Sequence, residues 1–384
     1  MASSRSLETP TAEPPSELST SPHEATVIEE SSAGDHAHIS SPTPLQIDTE
    51  NYSEDADSIY GSAGSSWTRS ASSSIYDYKY ENGRRYHAYR EGQYVLPNDE
   101  QEQERLDLQH HIWRLILGGS LFTAPLEQPL RILDLGTGTG VWAIDMADEC
   151  PNAEVLGVDL SPIQPDWIPP NCKFYVDDYE RQWTYREDEA FDYIHGRALS
   201  GTSGDWHRFY RQVYNNLKPG GWVEMQEYDA WIFSDDDSYD RAPWTREWVE
   251  RLDTASKSFG RQINVAKYHK QWMVDAGFLD VTEKVYRVRI FPIYQATGEP
   301  STNDPVQIPI GPWAKNRRLK ELGLCERAHM QMSVESHTPA LFTRVLGYTP
   351  EQVQVLMEGV KDEFRNRDLH LITSYRFICG RRPG

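Results

Sequence analysis

The chain of 384 residues contains no run of about 18–20 apolar residues, which excludes a transmembrane helix. Met1 to Pro15 lacks an apolar core stretch and carries acids, so neither a secretory signal nor a mitochondrial presequence is expected. Cysteines are few and scattered: Cys150, Cys172, Cys325 and Cys379, with no CxxC pair. That indicates no zinc or other metal site and no disulfide scaffold. It fits a reducing cytoplasmic or nuclear compartment. Basic residues are scarce too, 38 against 59 acids, for a net charge of −21. A nucleic-acid partner needs a basic face, so none is expected, and no membrane partner either. Apolar residues make up 38%, below the usual globular figure of about 45–50%.

The shortfall has a location. Residues 1–80 hold 19 serines and 13 acids against 3 basic residues, which is −10 of the net charge in a fifth of the length. Residues 1–75 show no hydrophobic period and are read as a disordered acidic Ser/Pro-rich tail, open to phosphorylation at Ser-Pro steps. Residues 76–384 are read as one domain: a core over about 100–290, a helical cap over about 313–364, and a final strand over about 369–379.

A helix is expected after Asn98 or Asp99, either of which can cap it, with Leu106, Ile112, Trp113 and Ile116 on the core face. From Arg131 onward strands and helices alternate. Strands are expected over Arg131 to Leu135, Glu154 to Leu160, Lys173 to Val176, Phe191 to His195, Trp222 to Tyr228 and Val281 to Ile290. Helices are expected over Val141 to Cys150, Trp206 to Leu217 and Ala266 to Ala276, and Trp313 to Leu356 reads as mostly helical. Such alternation predicts an α/β fold with a mostly parallel sheet covered on both faces.

The strongest motif is Ile132-Leu-Asp-Leu-Gly-Thr-Gly-Thr-Gly-Val-Trp142. A strand runs into Gly136, Gly138 and Gly140 and then a helix, where free N–H groups and missing side chains admit a nucleotide-like ligand. A dinucleotide fingerprint fits poorly, because Val141 stands where its third glycine belongs when counted from Gly136. Asp134, just before the glycines, would repel a pyrophosphate but hold an ammonium group. A cofactor with an amino-acid end therefore fits better: S-adenosylmethionine.

Asp159 ends the second strand and suits ribose hydroxyls. Asp177 or Asp178, after the third strand, can accept from an adenine amino group. His195, Arg197 and the loop Leu199 to Gly204 border the expected reaction centre at the carboxyl edge of the sheet. His195 is a candidate general base, with a structural histidine as the alternative. Glu227 and Tyr228 fall near the same edge.

Together, Asp134-x-Gly-x-Gly-x-Gly140, Asp159, the acid after the third strand and Leu217-Lys-Pro-Gly-Gly221 resemble class I S-adenosylmethionine-dependent methyltransferases. The resemblance implies a Rossmann-like, seven-stranded sheet whose last strand is antiparallel, with the C-terminal helices added as a cap. A narrower similarity rests on Glu81 to Tyr89, Leu96 to Asp107, Gly157 to Pro165 and Asn171 to Tyr175. These look like the LaeA-type methyltransferases of filamentous fungi. That family implies either an enzyme of secondary metabolism or a nuclear regulator partnered by velvet-type proteins. The acceptor stays open between a small molecule, a peptide and a protein side chain, with the aromatic stretch near Tyr86 and Tyr89 and the C-terminal helices expected to close over it.

Overall fold

The computed structural model describes residues 78–87, 92, 94–286 and 308–384. By its contacts the chain divides into Met1–Ser41 and Pro42–Gly384, and everything described belongs to the second unit. The expected disordered tail and Tyr89 lie outside the described residues.

The seven-stranded sheet forms from β3 (Arg131–Leu135), β4 (Glu154–Asp159), β5 (Cys172–Val176), β6 (Phe191–Arg197), β7 (Leu217–Tyr228), β8 (Leu279–Tyr286) and β11 (Tyr375–Arg381). Its spatial order is β5-β4-β3-β6-β7-β11-β8, with β11 antiparallel to both neighbours and the first five strands parallel. The interior strands β3, β4 and β6 are buried on both faces, as a sheet covered by helices on both sides requires. The antiparallel last strand is the one expected. The strand foreseen over Val281 to Ile290 is β8, and 287–290 lie outside the described residues. β7 begins five residues before its expected start, because Leu217 already pairs with Phe191 of β6, ahead of a bulge that precedes the Tyr193–Trp222 pair.

Alternation along each strand sorts the core into two faces. Leu133, Leu135 and Ile194 pack toward α3 (Trp206–Asn216) and α5 (His269–Asp275). Ile132, Val155 and Tyr193 pack toward α2 (Val141–Glu149), against Trp142, Ala143 and Met146. Asp134 and His195 share the α2 face with Ile132 and Tyr193.

α1 (Glu100–Ile116) is capped by Asp99, which accepts from the Glu102 N–H at 3.0 Å. Asp99 also takes both prongs of Arg84 from β2 (Arg84–Tyr86), at 2.7 and 2.8 Å. β2 pairs with β1 (Lys79–Glu81) in a short hairpin absent from the sequence expectations, although its signal was present: Asn82-Gly83, at φ +51° and +74°, forms the turn. Ile112, Trp113 and Ile116 are buried as expected, whereas Leu106 is half-buried at the cleft.

The cap consists of α4 (Pro243–Phe259), α6 (Arg317–Arg344) and α7 (Pro350–Arg365), packed on one another around Trp248, Leu252, Val334, Phe342, Val353 and Val360. α6 and α7 lie in the chain between β8 and β11, beside a two-strand pair β9 (Ile308–Pro309) and β10 (Ile372–Thr373). The mostly helical stretch expected from Trp313 forms α6 and α7, divided at Gly347, which takes φ +72° before the Thr349 capping box opens α7. α4 is absent from the sequence expectations. Its signals were present: Pro243 in the first turn, buried Thr245, Trp248, Val249, Leu252 and Ala255, and Gly260 at the C-cap. Among the described residues no helix is long and apolar enough to cross a membrane.

Candidate active site

The cleft lies where the carboxyl ends of β3, β4, β6 and β7 meet α1 and α6. Its empty space is about 1280 Å³, open mouth included. Asp134, Gly136, Gly138, Asp159, Asp178, His195 and Arg197 all line it. Residues separated by more than sixty positions thus converge because a parallel sheet delivers every strand end to one edge.

The glycine turn is held from both sides. The Thr137 N–H donates to the Val158 carbonyl, and the Gly138 N–H donates to Asp159 Oδ2 at 2.9 Å. Gly138 stands at φ +58°, the left-handed region that disfavours side chains. Gly140 is set apart. It is the N-cap of α2 at φ +81°, and a Cβ there would lie 2.4 Å from the Phe174 ring on β5. It does not line the cleft, and it packs closely between helix and sheet.

Asp134 is almost fully buried. His195 Nδ1 donates to its Oδ1 at 2.7 Å, and Thr137 Oγ1 donates to its Oδ2 at 2.6 Å. Each oxygen keeps a further lone pair. The His195 ring stacks flat on Trp142, with centroids 3.7 Å apart and planes 6° from parallel. Trp142 is anchored in turn through its indole N–H to the Leu121 carbonyl. His195 is wholly buried, and its Nε2 has no protein partner.

Asp159 accepts from the N–H groups of Ser161 and Gly138. Burial raises its carboxyl above the usual range, against those two donations. Asp178 reaches the cleft and accepts from the Glu180 N–H, while Asp177 is exposed and outside the lining. Successive residues leaving a strand face opposite ways, so of the two acids the structure brings only Asp178 to the cleft. Arg197 is drawn down to about 10 by burial, and it donates to His110 Nδ1 at 3.1 Å.

Several cleft residues escaped sequence reasoning. α1 turns Glu102, Arg105 and Gln109 inward, where an amphipathic reading sees only a solvated acidic face. Arg105 bonds Glu102 at 2.7 Å, both about 3% exposed, and it donates to His329 Nε2 of α6 at 2.9 Å. Tyr86 was expected over the acceptor, but it is buried in the cap core beneath Arg344; Tyr94 lines the cleft instead. Glu224, Gln226 and Glu227 are all buried without lining the cleft. Glu224 accepts from the Thr123 and Ala124 N–H groups. Glu227 accepts from the Leu199 N–H and Ser200 hydroxyl, and so holds the loop that does line the cleft. Beyond Tyr228 a second cavity continues under the cap, with about 530 Å³ of empty space, its open mouth included.

The sheet order and the glycine-turn cleft at its carboxyl edge define a Rossmann-like methyltransferase. A family model described as a methyltransferase domain matches residues 108–283. The methyltransferase pytC of Aspergillus terreus is 40% identical over 344 residues, 89% of this chain and 97% of that one. The secondary metabolism regulator LAE1 of Cochliobolus heterostrophus is 40% identical over 79% of this chain and 94% of its own. The protein-methionine methyltransferase laeA of Emericella nidulans is 34% identical over 79% and 76%. The chain belongs to this family of fungal methyltransferases.

Proposed function

We propose that the chain transfers a methyl group from S-adenosylmethionine to an acceptor of fungal secondary metabolism. The observation that carries the site assignment is the Gly136–Gly138 turn, opened by left-handed glycines and flanked by three acids at strand ends. The donor set fits the cofactor group by group. Asp134 and Arg197 offer opposite charges for an ammonium and a carboxylate. Asp159 would hold the ribose and Asp178 the adenine amino group, between the apolar walls of Leu160 and Ile163.

Bound S-adenosylmethionine supplies a methyl group made electrophilic by its sulfonium. The protein's share is alignment and exclusion of water, because in-line transfer needs a placed acceptor more than a protein nucleophile. His195 holds Asp134 in one orientation, and its stacking on Trp142 keeps that carboxylate from turning. Of the two roles the sequence left open, general base and structural histidine, we assign it the second, as a positioning residue, since the imidazole is wholly buried.

Calorimetric titration of the full chain with S-adenosylmethionine, with NADH as control, tests this reading. Micromolar binding of the first alone, lost in Gly138→Trp, supports it. Binding of neither, or binding indifferent to Gly138→Trp, overturns it.

A second reading makes the chain a regulator of secondary metabolism, nuclear and assembled with velvet-type proteins. It is favoured by the relatives named as regulators. Nuclear localisation and co-purification with a velvet-type protein support it; a cytoplasmic chain free of such partners argues against it.

A further inference from the structure

The second cavity has two features that the cofactor cleft does not explain. Its walls are largely apolar, with Ile232, Trp248, Leu252, Ile263 and Met330, and two histidines of α6 face it. Tyr228 and His337 wall both cavities, so the chamber adjoins the cofactor cleft at that pair.

The two histidines present opposite hydrogen-bonding characters. Arg105 is a donor only, so the His329 Nε2 it touches must accept. The proton of the neutral ring is then on Nδ1. That atom is buried and has no hydrogen-bond partner, with Glu326 Oε1 too far at 3.7 Å. A buried N–H of this kind calls for an acceptor atom supplied from outside. His337 is the reverse. Its Nδ1 lies 2.9 Å from the Ser333 carbonyl and donates to it, so Nε2 is the accepting nitrogen. That Nε2 accepts from the Tyr228 hydroxyl at a long 3.3 Å, a contact that a closer ligand hydroxyl would replace. Burial, aided by the Arg105 charge, pulls His337 down to about 4, so the ring stays neutral at physiological pH.

Asp229 pairs with Arg376 at 2.8 Å, and Arg105, which lines the cofactor cleft, is paired with Glu102. Glu326 faces the chamber and accepts from the Tyr375 hydroxyl at 2.8 Å, so a carboxylate ligand would meet its charge. The largely apolar walls disfavour burial of any charged group.

We infer that this chamber is the acceptor site, and that the acceptor is a neutral ring-containing small molecule with a hydroxyl for His337 Nε2 and a carbonyl oxygen for His329 Nδ1. Phenols and enols bearing a carbonyl belong to this class. The inference rests on the methyltransferase reading of the adjoining cleft, for it is the hydroxyl at the shared wall that the methyl group would reach: the oxygen–carbon bond would form as the sulfur–carbon bond breaks, S-adenosylhomocysteine would leave, and the hydroxyl proton would pass to His337 Nε2.

The test uses the full chain and 7-hydroxycoumarin, a neutral fluorescent probe with a hydroxyl at one end and a lactone carbonyl at the other. The probe is titrated at pH 6.5 with S-adenosylhomocysteine present, and cofactor affinity is measured separately. Coumarin, which lacks the hydroxyl, is expected to bind about tenfold more weakly, the effect of one buried hydrogen bond. Leu252→Trp fills the chamber and is expected to abolish probe binding with cofactor affinity unchanged; Ile263→Phe serves the same purpose should the first variant misfold. His329→Phe is expected to weaken the probe without reducing its preference over coumarin.

No probe binding by a chain that binds S-adenosylmethionine overturns the proposal, as does probe binding untouched by both fillings. N-acetyl-Gly-Met-Gly-amide is the competing probe. If it binds instead, and Leu252→Trp abolishes that binding, the chamber serves a peptide and the small-molecule assignment falls. A chain that binds the coumarin in a filling-sensitive way but binds no cofactor keeps the chamber and loses the methyltransferase reading.

Discussion

Glu227→Gln should change the pH dependence of stability in a direction that the geometry dictates. The Glu227 side chain is fully buried on β7, and burial raises its carboxyl from 4.5 to about 7, against donations from Ser200 and Leu199. The difference of about 2.5 pH units corresponds to about 3 kcal/mol, at about 1.36 kcal/mol per unit. Below pH 4.5 the carboxyl is protonated in folded and unfolded chains alike, and the full stability is present. Between 4.5 and 7 the folded chain holds the proton that the unfolded chain has released, so stability falls as pH rises. Above 7 the whole of about 3 kcal/mol has been lost.

Glutamine does not titrate, so the variant escapes that loss. The quantity to follow is variant stability minus wild-type stability, from urea unfolding at pH 5, 6, 7 and 8. It should rise across the series by about 2–3 kcal/mol, since part of the change precedes pH 5. His269 and His337, held near 3 and 4 by burial, favour the fold more as pH rises toward 6.5. They act in both proteins and cancel in the difference. A difference that stays flat from pH 5 to 8, with equal denaturant slopes, refutes the assignment of a strained buried carboxyl.

Gly140→Ala should destabilise by about 2–4 kcal/mol, from the left-handed backbone and the overlap with Phe174. Phe174→Leu in the same chain should recover the packing part only, as read by urea midpoints. Arg105→Ala should cost about 3–5 kcal/mol, because it leaves Glu102 buried without its cation. Glu102→Gln/Arg105→Gln should recover part of that loss in the same assay; a double variant no better than the single would show that the pair's charge is not what matters.

How much of the site was legible from sequence follows the reach of its interactions. Asp134, Gly136 and Gly138 were readable because strand, turn and helix are contiguous, and the backbone alone places them at one sheet edge. Asp159 was readable because it ends the next strand. The seven-stranded order was readable once these motifs were recognised together. The choice between Asp177 and Asp178 was not, since it depends on how the chain leaves β5. Gly140 looked like its two companions, and its role emerged only with Phe174 beneath it. α4 carried helical spacing that could have been read; what it packs against could not.

Sequence by itself determined the α/β alternation, the glycine turn with its acids, and the cofactor class those residues suit, because each is set by neighbours a few positions away. Tertiary structure decided that His195 is locked between Asp134 and Trp142. It also decided that Glu102 and Arg105 point inward to a histidine 224 positions on, and that Tyr228 and His337 stand between two cavities. Those outcomes depend on burial and on pairings across the fold, and no local pattern of residue types encodes which distant side chain will arrive to satisfy a buried polar group.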